Sequence, residues 1–293
     1  MVVLSFENYQ AEAENLAAAL GLQHQTIERR HFPDGESLIE LPSELPETII
    51  ICQTLNFPNE KLIDLYIAAK AARQQNVSKI ILVAPYLCYM RQDKAFHPGQ
   101  AVSQKIIGDL IAQCCDHLIT VDPHLHRIKT LDEAIPTKNA VSLTAAGELG
   151  NFISKRYQDA VFVGPDEESE QWVSVVAKSA DCDFVVAAKN RMGDRSVKVT
   201  LPEYDWKNKT AVLVDDVISS GHTMAEAAKS LHNYGCSKVV ALCSHALLAP
   251  GAEKLLAESH IAELISTDSI PHKSNEISLA NLLARAIADL GVF

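Results

Sequence analysis

Short apolar runs alternate along this chain with stretches whose apolar residues recur at helical spacing. The runs predict strands over residues 2–6, 48–53, 79–84, 117–122, 160–164, 184–188, 210–214 and 238–243. Most are unbroken apolar segments, the pattern of strands covered on both faces. The helical spacing predicts helices over residues 12–20, 60–75, 103–112, 169–179, 223–234 and 278–290. Such alternation of strand and helix predicts an α/β fold with mostly parallel sheets.

Two halves of the sequence echo one another. Cys115 opens an apolar strand that leads to His124, and Cys236 opens another that leads to His245. The echo is weak but compatible with a duplicated α/β unit. A division in the Ala- and Gly-rich stretch 144–150 gives two domains of similar size, 1–145 and 146–293.

A chain of 293 residues buries enough apolar surface to need no staples. Its longest apolar run, from Ile80 to Met90, is interrupted by Pro85. It falls short of the roughly 20 residues of a membrane span. The first ten residues lack the basic region and apolar core of a signal peptide, so no leader is expected. Seven scattered cysteines with no C-x-x-C pair point to free thiols in a reducing cytoplasm. The net charge of −11 argues against a nucleic-acid partner. A small polyanion could still bind where local cations, metal ions or backbone N–H groups oppose that field.

In open parallel sheets, ligands bind beyond the carboxyl ends of the strands. Polar groups gather there. Residues 79–84 lead to Arg91, Gln92, Asp93 and Lys94, and residues 117–121 to Asp122, His124 and His126. Residues 160–164 lead to Asp166, and residues 184–188 to Lys189 and Arg191. Residues 210–214 lead to Asp215, Asp216, Ser219, Ser220, Gly221, His222 and Thr223, which open a helix. A loop of that kind presents several N–H groups beside a helix dipole and can cradle phosphate. The paired carboxylates suit sugar hydroxyls or a hard divalent cation. A single strand-end Asp is ordinarily a cap or an ion-pair partner; five charged strand ends together point to a site. No dinucleotide fingerprint, P-loop, H-E-x-x-H or G-x-S-x-G occurs.

Residues 212–224 resemble the phosphoribosyl-pyrophosphate loop of type I phosphoribosyltransferase folds. Three further segments resemble the ribose-phosphate pyrophosphokinase family. Residues 32–36, with Phe32, Asp34 and Glu36, are similar to its adenine-contacting loop. Residues 85–93, ending in Arg91, Gln92 and Asp93, are similar to its ATP-binding segment. Residues 120–124 are similar to its metal segment, which ends in His124. The ordered match covers nearly the whole chain.

The resemblance implies two similar type I phosphoribosyltransferase domains, each a mostly parallel sheet flanked by helices. It implies a transferase that moves pyrophosphate from ATP to the 1-hydroxyl of ribose 5-phosphate, giving phosphoribosyl pyrophosphate and AMP. It assigns catalysis to Lys189 and Arg191. ATP falls to Phe32, Asp34, Glu36, Arg91, Gln92, Asp93 and His124. Ribose 5-phosphate falls to Asp215, Asp216, Ser219, Ser220, Gly221, His222 and Thr223, and magnesium to His124 and Asp166. A homo-oligomer is implied, because the family's loop equivalent to 32–36 reaches a neighbouring subunit's site.

Two departures stand out. Glu167, Glu168 and Ser169 follow Asp166 where the family usually has two glycines, which adds negative charge beside a polyanion site. His222 stands where a second glycine is usual, at a steric cost if that position has positive φ. A non-catalytic homologue that binds nucleotide or sugar phosphate, and a phosphoribosyltransferase acting on a base, remain as alternatives.

Overall fold

The computed structural model of the chain describes residues 1–125, 127–191 and 197–291; the side chains of residues 189–191 and 197–199 fall outside that description. The chain divides into two compact units, Met1–Leu143 with Leu279–Phe293, and Thr144–Ser278.

The first unit runs β1 (Val2–Phe6), α1 (Gln10–Leu20), β2 (His24–His31), β3 (Ser37–Glu40), β4 (Thr48–Cys52), α2 (Pro58–Gln74), β5 (Lys79–Val83), α3 (Ser103–Ala112), β6 (His117–Val121) and β7 (Asn139–Leu143). Among the described residues these strands form one sheet in the order β3-β2-β1-β4-β5-β6-β7. Every pairing is parallel except that of β2 with β3. The central strands are the continuous apolar runs, and Ile49, Ile50 and Ile51 of β4 are wholly buried. Truncating any one of them to Ala would cost about 2–5 kcal/mol. The edge hairpin β2–β3 shows why it escapes an apolar-run search: of the eight residues of His24–His31 only Ile27 is buried.

The second unit runs α4 (Ala146–Arg156), β8 (Ala160–Gly164), α5 (Glu170–Ala180), β9 (Phe184–Val186), β10 (Ala188–Arg191), β11 (Val197–Thr200), β12 (Thr210–Ile218), α6 (His222–Asn233), β13 (Lys238–Ala246), α7 (Ala252–Glu258), β14 (Glu263–Thr267) and β15 (Asn275–Ile277). Its described residues form a parallel sheet in the order β15-β14-β13-β12-β8-β9, with β10–β11 as a separate antiparallel hairpin. Its core gathers Val161, Val163, Leu213, Leu231 and the buried Trp206, whose ring lies 4.9 Å from that of Tyr204.

The two sheets share one topology. Strands β2-β1-β4-β5-β6-β7 correspond in connection and position to β9-β8-β12-β13-β14-β15. The Cys115 and Cys236 segments, however, form β6 and β13, which do not correspond: the partner of β6 is β14. The sequence echo therefore reflects the likeness of any two buried strands, while the duplication lies in the connectivity.

A last helix, α8 (Ala280–Asp289), belongs to the first unit, where it packs on α1. A division at residue 145 assigns everything downstream to the second half. The structure instead returns the segment from Leu279 to the first, because α8 buries Leu283, Ala286 and Ile287 and α1 buries Ala13, Leu16 and Ala17. The α4–α5 pair plays the same part in the second unit.

Candidate active site

In the second unit the ladder between β12 and β13 runs further than the apolar run predicts, with Asp215 opposite Cys243 and Ile218 opposite Ala246. Asp215 and Asp216 thus lie inside β12 rather than beyond its end. Asp216 is buried, and its Oδ1 accepts from the Val217 N–H at 2.7 Å; the Asp216 N–H donates to Asp215 Oδ1 at 3.0 Å. Burial, then the charges of Asp216 and Asp166, hold the Asp215 carboxyl well above the usual carboxylate range. Asp166 is near because β8 lies beside β12.

Beyond β12, Ser219 is half-buried, Ser220 exposed and Gly221 buried. Gly221 is the N-cap of α6 at φ 77°, and no side chain caps the helix. The first N–H groups of α6 therefore lack a capping oxygen of their own. A Cβ at Gly221 would stand 3.2 Å from Leu256 Cδ2 on a left-handed backbone, so any side chain there is strained by the angle and tight against Leu256. His222 is the first helical residue and is exposed. The left-handed conformation falls on Gly221, so His222 bears none of the expected steric cost. Thr223 is half-buried in the first turn.

Asp166 caps a short 3-10 turn, Glu167–Ser169. Its Oδ1 accepts from the Ser169 N–H at 3.3 Å, and Ser169 Oγ donates to the Asp166 carbonyl at 2.6 Å. Ser169 is buried, whereas Glu167 and Glu168 are exposed, so both glutamates point their charge into solvent. Gly164 is required by this turn, since a Cβ there would meet Ser169 Oγ at 2.6 Å. Lys189 and Arg191 sit on the backbone of β10, opposite Val199 and Val197 of β11; their side chains lie outside the described residues.

In the first unit, residues 32–36 form the tip of the β2–β3 hairpin. The Phe32 N–H donates to the Glu36 carbonyl at 2.8 Å, the Glu36 N–H to Asp34 Oδ1 at 3.2 Å, and Gly35 takes φ 93°. The Phe32 ring is 39% exposed, with the Arg30 guanidinium 5.4 Å from its centroid. Asp34 and Glu36 are exposed. At the base of the hairpin Arg29 Nη1 donates to Glu60 Oε1 at 2.9 Å and to the buried Asp64 Oδ2 at 3.0 Å. His31, Glu60 and Asp64 form the one group of three metal-capable donors within 4.8 Å among the described residues, but Arg29 already engages both carboxylates.

Arg91 is exposed and Gln92 half-buried after β5. Gln92 accepts from Ser103 Oγ at 3.2 Å through Oε1, and from the Gln104 N–H at 3.2 Å through its carbonyl. Asp93 is buried at its carboxylate, and both oxygens accept from Arg127 Nη1, at 2.5 and 2.7 Å. His124 is half-buried after β6, following Asp122, which holds φ 38°. His126 lies outside the described residues. Sequence reasoning missed Arg127, whose partner stands 34 positions away with no local pattern to mark it.

Carboxylates converging at the end of one parallel sheet, beside a glycine-capped helix, define an α/β protein of the phosphoribosyltransferase type. Residues 138–279 match the phosphoribosyl transferase domain, and residues 1–114 match the N-terminal domain of ribose phosphate pyrophosphokinase. The chain is 34% identical to a ribose-phosphate pyrophosphokinase of Methanopyrus kandleri over 99% of both chains. It is 32% identical to ribose-phosphate pyrophosphokinase 2 of Archaeoglobus fulgidus, covering 94% of this chain and 96% of that one. Its fold is similar to phosphoribosylpyrophosphate synthetase from Mycobacterium smegmatis, with a TM-score of 0.83 and 23% identity over 99% of this chain and 98% of that one. The chain belongs to the ribose-phosphate pyrophosphokinase family.

Proposed function

We propose that this chain transfers the β,γ-pyrophosphoryl group of ATP to ribose 5-phosphate. The sugar 1-hydroxyl oxygen forms a bond to the β-phosphorus, the bond from that phosphorus to the oxygen bridging to the α-phosphate breaks, AMP leaves, and the hydroxyl proton goes to solvent. The observation that carries this reading is the continuous run in β12 and its loop: two carboxylates for ribose hydroxyls, then Ser219, Ser220, Gly221 and the uncapped start of α6 for the 5-phosphate.

Phe32, Asp34, Glu36, Arg91 and Gln92 serve the nucleotide. Lys189 and Arg191 oppose the charge on the transferring group, Lys as a point charge and Arg as a fork of donors. The crowding of Asp166, Asp215 and Asp216 fits a hard divalent cation, since oxygen donors and a surplus of negative charge suit magnesium. Asp166 would hold such a cation within the second unit, where it would neutralise phosphate charge; His124, in the first unit, is the other residue the resemblance assigns to magnesium. The exposed hairpin tip at Phe32 supports a homo-oligomer in which residues 32–36 complete a neighbouring subunit's nucleotide site. Seven free cysteines, most of them buried, support a reducing cytoplasmic setting. No helix among the described residues is long and apolar enough to cross a membrane.

The test is AMP and phosphoribosyl pyrophosphate formation from ATP, ribose 5-phosphate and magnesium, against Lys189→Ala as control. Turnover no higher than that control would sink the reading.

A further inference from the structure

Asp93 sits between exposed neighbours, Arg91 and Lys94, yet its carboxylate is 3% exposed. A carboxylate withdrawn from water needs a partner, and Arg127 supplies one through the paired contacts at 2.5 and 2.7 Å. With both oxygens engaged, Asp93 has poor means of contacting a nucleotide, and a bare carboxylate beside a triphosphate would repel it. The pair does something else. Asp93 lies in the loop from β5 to α3, and Arg127 lies three residues past His124 in the loop after β6. Strands β5 and β6 are neighbours, with Ile81 opposite His117. The pair therefore ties together the loops at the carboxyl ends of two adjacent strands.

The rest of the β5 loop is already pinned from the other side. Gln104, buried in α3, donates through Nε2 to the Met90 carbonyl at 3.2 Å, and the Ser103 and Gln104 contacts hold Gln92. That leaves the segment after Gln92 held by Arg127. We infer that Arg127 is a positioning residue: by gripping Asp93 it sets Arg91 and Gln92 against the His124 loop, so that ATP affinity depends on a pair that itself touches no ATP. This rests on the assignment of Arg91, Gln92 and His124 to the nucleotide.

The experiment measures ATP binding by titration calorimetry with magnesium and without sugar phosphate, so its readout does not depend on turnover. Arg127→Ala should weaken ATP binding by on the order of tenfold or more, since small misplacements of binding groups carry losses of that size. Asp93→Asn should do the same, and the double variant should be no worse than either single one, the mark of a shared interaction. Arg127→Lys should recover much of the affinity, because one nitrogen makes both contacts. The KM for ribose 5-phosphate should stay within about twofold, which a general loss of structure would not allow. ATP affinity unchanged in Arg127→Ala, or additive losses in the double variant, would overturn the inference. If the Lys variant folds and the Ala variant does not, failure of Arg127→Lys to bind ATP better than Asp93→Asn overturns it as well. A wild-type chain whose ATP affinity depends on this pair but that makes no AMP would leave the clamp standing and remove the proposed reaction instead.

Discussion

The loop after β4 and the loop after β12 hold corresponding places in two sheets of one topology, and they have been filled in opposite ways. Each leads into a helix through an N-cap in the left-handed region, Phe57 at φ 49° before α2 and Gly221 at φ 77° before α6. The end of β12 carries Asp215 and Asp216, and the loop after it Ser219 and Ser220. After β4 the loop carries Gln53, Thr54, Leu55 and Asn56, and Lys61 of the following helix reaches back into it. Its Nζ donates to the Thr54 carbonyl at 3.0 Å and to Asn56 Oδ1. Gln53 Oε1 and Thr54 Oγ1 are buried without partners. One loop is plugged by its own chain, and the other keeps unreconciled charge. The backbone device is the same; side chains decide which copy is left wanting a ligand.

Asp215→Asn attacks the difference most directly. Removing one of three crowded carboxylates should raise the melting temperature of the ligand-free chain by about 2–4 °C. It should also lower turnover on the order of a hundredfold or more, as losing a group that engages a substrate commonly does. Thermal melts and steady-state AMP formation check both. Full activity would mean that the carboxylates are not what separates the two loops.

The matched pair Gly221→Val and Phe57→Gly comes next. Valine at 221 meets Leu256 and a left-handed backbone, so it should cost about 1–3 kcal/mol and weaken ribose 5-phosphate binding. Glycine at 57 removes an exposed ring and relieves the same backbone angle, so stability should move by no more than about 1 kcal/mol. Equal penalties in denaturant titrations would show that the two caps serve one structural purpose.

Lys61 gives a subtler handle. Burial, then the Arg29 guanidinium, push its ammonium down to about 8. Below that pH the folded and unfolded chains both hold the proton and the burial penalty is constant. Between pH 8 and the ordinary lysine value of about 10.4 the unfolded chain binds more protons, so stability rises with pH. The stability of wild type relative to Lys61→Met should therefore climb across that window, as urea midpoints below and above pH 8 would show. Smallest of all, His222→Gly should change stability by within about 0.5 kcal/mol, because the side chain is exposed and the position is the first of the helix rather than its interior, where glycine costs more.

The central strands were legible because burial on both faces writes itself as an unbroken apolar run, and β1 and β8 match their predicted bounds. Their neighbours were not. The strand β2 is polar at every position but Ile27, β3 has four residues at the sheet edge, and β15 has three. The helix α4 carries Gly147 and Gly150, and Gly150 is there for close packing: a Cβ would meet the Val176 carbonyl of α5 at 2.6 Å. The candidate site was legible as composition, since charged residues cluster where apolar runs stop. Its wiring was not, because the burial of Asp93, the cap made by Asp166 and the duty of Gly221 all depend on residues distant in sequence or on a backbone angle. The departures at Glu167, Glu168 and His222 looked costly only while their side chains had no direction.

The return of α8 to the first unit has a consequence for how the chain is made. A ribosome delivers β1 and α1 before the second unit, but α8, which packs on α1, emerges only after the whole of that unit. The second unit, encoded without interruption from Thr144 to Ser278, is complete before the first. The unit that is begun earlier is thus completed after the other, and during synthesis α1 waits for its helical neighbour until the second unit has been made.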